Sequence, residues 1–133
     1  MTNVKNAPRT ATTIKIRSKS EHWIGHSKDP YHELMLRLFQ DETTAIRGRL
    51  FLNMVEERQN NDNPLRTKEW KDTMKELEVS RSAFYAMRNK LFGAGLIIVK
   101  NGEYKLSGMF SRDLADMSRW WWVAVLGNDP ETL

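Results

Sequence analysis

The chain has 133 residues, 21 Lys and Arg against 17 Asp and Glu, and 40% apolar residues, but no cysteine. That length predicts a single domain large enough to bury a core, without room for a second catalytic lobe. Zero cysteines exclude a disulfide scaffold, thiolate zinc sites and a cysteine nucleophile, and no run approaches the roughly 20 apolar residues of a membrane-spanning helix.

Residues 1–20 hold Lys5, Arg9, Lys15, Arg17 and Lys19 with no Asp or Glu, and are rich in Ser and Thr. The stretch lacks the apolar segment of a secretory signal, and its amphipathic period is too poor for a transit peptide. It reads as a basic, disordered arm on a soluble cytoplasmic protein, either a nucleic-acid contact or a solubilising tail. One domain is expected over 21–127, with 128–133 as a tail.

After Pro30, Tyr31, Leu34, Leu38 and Phe39 repeat at helical spacing. Asp41-Glu42-Thr43 interrupts the stripe and offers a cap to a second helix, where Ile46, Leu50, Phe51, Met54 and Val55 form the next one. Asn- and Asp-rich residues 59–64 mark a loop. A third helix is expected from Thr67, carrying Trp70, Met74 and Leu77, and a fourth from a Ser80 cap, carrying Phe84, Met87 and Leu91 and ending at Gly93-Ala94-Gly95. The period then changes. Leu96-Ile97-Ile98-Val99, Asn101-Gly102 and Tyr104-Lys105-Leu106 predict a hairpin. A last helix over 111–126 places Leu114, Met117, Trp121, Ala124 and Val125 in phase.

The segment Val79-Ser80-Arg81-Ser82-Ala83-Phe84-Tyr85, followed by Leu91-Phe92-Gly93-Ala94-Gly95-Leu96-Ile97, resembles the signature of the winged helix-turn-helix superfamily. Asn101–Ser107 resembles the second half of a short wing. The likeness implies a mainly α fold with a small β-hairpin: helix-turn-helix over 67–93, wing over 96–107, flanking helices at both ends. It also implies sequence-specific binding of double-stranded DNA, as in homodimeric transcriptional regulators. Small plasmid and viral replication or partition proteins share the likeness. Some winged helices instead serve only as protein-interaction modules.

In such a fold the N-terminal residues of the second helix face base edges. With Phe84, Met87 and Leu91 inward, Arg81, Ser82, Tyr85, Arg88 and Asn89 are expected outward. Arg suits guanine and Asn suits adenine, while Ser80, Ser82 and Tyr85 suit phosphate oxygens. From Val79 to Gly102 the sequence holds four basic residues and no acid, unlike the preceding helix, where Glu69, Asp72, Glu76 and Glu78 alternate with lysines. An exposed Arg88 departs from the aliphatic residue many relatives carry there, and it can bury its stem. Lys100 and Lys105 are the wing's candidates for a phosphate contact.

Trp120-Trp121-Trp122 spans about 200° of helix surface, too much for one side of a small domain to bury. With Met117 these tryptophans are the expected homodimer interface; the alternative is a monomer in which Trp23 covers them. His22 and His26 at i, i+4, near Asp29 and Glu33, are broken by Gly25 and Pro30, so no metal site is expected. Glu56-Glu57 lies on a solvated face, and no phosphate-cradling loop or nucleophile motif is present. Neither a cofactor nor catalysis is expected.

Overall fold

The computed structural model describes residues 11–16 and 23–133. The fold is mainly α with one two-stranded antiparallel hairpin. Its elements are α1 (Pro30–Phe39), α2 (Glu42–Asn60), α3 (Trp70–Leu77), α4 (Arg81–Ala94), β1 (Ile97–Lys100), β2 (Glu103–Leu106) and α5 (Met109–Trp120). Among the described residues no helix is long and apolar enough to cross a membrane.

Local chemistry sets the boundaries. Asp29 caps α1 by accepting from His32 N at 3.3 Å, with Pro30 in the first turn where its missing N–H costs nothing. Asp41 caps α2 by accepting from Thr44 N at 2.9 Å. Between these helices Gln40 takes a left-handed conformation, φ 59°. Asn101 and Gly102 at the hairpin tip both have positive φ, as a two-residue turn matched to strand twist requires. The register pairs Ile97 with Leu106 and Val99 with Tyr104.

The core lies where α1, α2, α4 and the hairpin meet. Phe51 of α2 is its hub, packing edge-on to Phe84 of α4 at 5.5 Å and to Tyr104 of β2 at 5.3 Å. The buried stripe of α2 is Ala45, Gly48, Phe51, Leu52 and Val55. That corrects the expected stripe, because Ile46 and Leu50 are exposed. The Phe39 ring occupies the space above Gly48, so the face carrying Ala45 and Gly48, with Phe51, Leu52 and Val55, is the one turned inward.

Three further expectations are corrected. Thr67 is not the cap of α3; residues Thr67–Glu69 form a 3-10 turn, and Thr67 N donates to Gly102 O at 2.8 Å, tying the hairpin tip down. With Tyr104 N bonded to Leu65 O, the loop before α3 lies against β2 like a short third strand. The last helix starts at Met109, two residues before Ser111, and beyond Trp120 it widens into a π turn over Trp121–Val125. Finally, the expected 1–20 arm is not arm throughout. Ile14 packs on the core and Lys15 N donates to Arg37 O at 2.9 Å, which sets 11–16 against α1. Lys5, Arg9, Arg17, Lys19 and His22 lie outside the described residues.

Candidate nucleic-acid interface

A tight turn sets α4 against α3. Glu78 takes a left-handed φ of 56°, Val79 N returns to Met74 O at 3.1 Å, and Ser80 Oγ accepts from Ala83 N at 3.2 Å. Ser80 is thus committed to capping, and it also lies 3.4 Å from Ser82 Oγ. Phe84, Met87, Leu91 and Phe92 face the core.

Arg81, Ser82 and Asn89 are exposed and Tyr85 is half-buried, as expected of the outward face. The Arg81 guanidinium sits 4.9 Å from the centre of the Trp70 ring, with Lys71 Nζ at 5.3 Å from the same ring. Trp70, at the start of α3, therefore reaches the start of α4 and collects two cations.

Arg88 is the correction. It is only 6% exposed, its guanidinium lies 5.1 Å from the Tyr85 ring centre, and its Nη2 donates to Asn89 Oδ1 at 2.6 Å. Its Nε and Nη1 are buried without a hydrogen-bond partner. A charge so placed is not on the outward face where the sequence led it to be expected. Burial pushes the Tyr104 phenol up, with the nearby Arg88 charge opposing the rise.

The wing candidates separate. Lys100 is exposed at the end of β1, opposite Glu103 in the register; Lys105 is half-buried opposite Ile98. The tip they flank is folded onto residues 65–67 rather than projecting freely.

A depression of about 440 Å³ runs between the start of α2 and α4, bounded among others by Thr43, Arg47, Ser80 and Lys90, with Glu78 as its acid. Thr43 and Arg47 of α2 and Lys90 of α4 add donors along this depression. Sequence reasoning missed the first two because they stand more than thirty residues upstream and only packing of α2 on α4 brings them close. Lys90 was legible as part of the acid-free run.

The tryptophans also separate. Trp120 and Trp121 are 63% and 55% exposed, and Met117 is 61% exposed. Trp122 instead turns back on its own tail, where its Nε1 donates to Asp129 O at 2.9 Å and Thr132 Oγ1 at 3.1 Å. The sequence led to the expectation that it faces a partner; its ring nitrogen is engaged within its own chain. Trp23 covers none of them; it is exposed and stacks on His26 at 5.8 Å. Near His26, Asp29 pairs with Arg49 at 2.6 Å and Glu33 with Arg37.

Residues 28–127 match the model of an archaeal family. No curated protein and no solved structure matches the chain.

Proposed function

The chain belongs to an archaeal family, and from its helix-turn-helix geometry we propose that it is a winged helix-turn-helix protein that binds double-stranded DNA as a homodimeric transcriptional regulator. One observation carries this reading. A capped 14-residue helix, α4, leaves a tight turn with Arg81, Ser82, Asn89 and Lys90 toward solvent and no acid of its own. A helix of that kind fits the major groove, and its first residues then meet base edges. Arg81 is the base-reading candidate; Ser82, Tyr85, Lys90, Thr43 and Arg47 are the phosphate candidates, with Lys100 at the wing. Replication or partition of a plasmid or virus would use the same surface.

The test is binding to random duplex DNA across a salt series. Affinity falls with salt in proportion to the phosphates neutralised, with a log–log slope of about −0.9 per contact. The wild type is expected to give a steep slope, and Arg81→Ala with Lys90→Ala a shallower one. Absence of binding at low salt overturns the reading. It would favour the protein-interaction class instead, for which the exposed tryptophan helix is the supporting observation.

A further inference from the structure

The largest unexplained surface is apolar. None of the residues of α5 is buried, and none contributes to the core. The helix is fixed to the domain at its first turn, where Phe110 N donates to Gly95 O at 3.1 Å, and then runs past α1 across an open groove of about 670 Å³. Phe110, Leu114, Met117 and Trp121 form one wall; Leu34 of α1 with Ile14 and Ile16 forms the other.

We propose that this groove seats α5 of a second copy, the two α5 helices lying antiparallel and each filling the other's groove. This deepens the homodimer part of the reading above and rests on it.

Three observations select a second copy as the occupant. The first is exposure. Leu114, Met117, Trp120 and Trp121 are 36%, 61%, 63% and 55% exposed, a run of large apolar side chains of the kind that marks a protein–protein interface rather than an ordinary monomer surface. The second is spacing. Phe110, Leu114, Met117 and Trp121 stand at i, i+4, i+7 and i+11, the seam of a two-helix coiled coil, while Arg112, Asp116 and Arg119 lie on the opposite side. Antiparallel pairing about the middle of this seam sets Leu114 opposite Met117 of the partner subunit and Phe110 opposite Trp121 of the partner subunit. Such an isologous contact is self-complementary and closes at two copies. The third is polarity. The lining is apolar apart from Lys15, Arg37 and Ser118, and Arg37 is held by Glu33 and by the carbonyl of Ile16.

The docked 11–16 segment thereby gains a role. Ile16 is 80% exposed in one copy. In the dimer it closes the flank of the incoming helix.

The chain's lack of cysteine makes the test direct. Met117→Cys places one thiol on the seam, and Arg112→Cys places one on the far face. With a short bismaleimide, M117C is expected to give a covalent dimer on a denaturing gel and R112C to remain monomeric. In sedimentation, Met117→Glu and Ile16→Asp should each weaken self-association, M117E by roughly thirty-fold as expected of an interface hot spot. Circular dichroism checks that both remain folded. Cross-linking of R112C but not M117C, or a wild type that sediments as a monomer at all concentrations, overturns the proposal. The readout needs no DNA, so a dimer that ignores duplex DNA would sink the DNA reading alone.

Discussion

At the scale of single residues, two positions carry opposite lessons about size and charge. Gly48 is required by its neighbour: a Cβ there would lie 2.4 Å from Cε2 of the buried Phe39 ring. Ala improves helix propensity by up to about 1 kcal/mol, but overpacking a closed core costs about 1–3 kcal/mol. Gly48→Ala is therefore expected to lower stability, read as a fall in the urea midpoint; an unchanged or raised midpoint would show that the ring moves aside freely. Arg88 is the reverse case, a buried guanidinium with two unpartnered nitrogens. Each such group carries a desolvation penalty of about 1–3 kcal/mol, and apolar replacements of similar volume are often neutral or stabilising. Arg88→Met should keep or raise the urea midpoint and leave the salt slope for duplex DNA unchanged. A shallower slope would mean that the guanidinium swings out to meet a phosphate. The helical wheel already placed this residue inward, since Arg88 stands only about 40° from Phe84. Its charge suggested an exposure that the angle did not.

At the scale of elements, punctuation was legible and orientation less so. The Asp41 and Ser80 caps, the Gly95 exit and the Asn101-Gly102 turn all follow from residues that satisfy or free the backbone locally. What the sequence concealed depends on distant partners. The face of α2 was set by Phe39 resting on Gly48, the third limb of the hairpin by Thr67 bonding Gly102, and the inward turn of Trp122 by a tail carbonyl. The candidate site divided the same way. Arg81, Ser82 and Asn89 were readable from one helix, whereas Arg47 and Thr43 needed the packing of another. Capping also makes a pH prediction. Hydrogen bonds from the Thr44 side chain and then its backbone hold the Asp41 carboxyl below its ordinary value of 3.8. A lowered carboxyl adds stability that is present above the unfolded value and lost as pH falls through the folded one. Asp41→Asn keeps a capping oxygen without the charge, so its melting temperature should sit below wild type near neutral pH. The gap should narrow as pH drops below 3.8; a gap constant with pH would assign the loss to packing instead.

At the scale of the whole molecule, the chain divides into a packed body and a projecting helix. Every core residue, including those partly buried against it, falls between Ile14 and Leu106. A chain ending at Ser107 is therefore expected to unfold cooperatively, close to the full-length midpoint, and to be monomeric. Loss of a cooperative transition would show that α5 stabilises the body it leaves. The same division predicts the form of the DNA site. If α5 joins two bodies about a two-fold axis, two α4 helices are presented with the same symmetry. Duplex DNA offers equivalent major-groove faces about 34 Å apart, one helical turn, so a selected site should be an inverted repeat with that half-site spacing or a multiple of it. Met117→Glu leaves each α4 intact and separates the bodies. Its affinity for a single half-site should match wild type, while its affinity for the full repeat should fall to nearly the half-site value. Equal loss on both sites would mean that the substitution disturbs α4 itself, and equal retention on both would mean that one body binds without its twin.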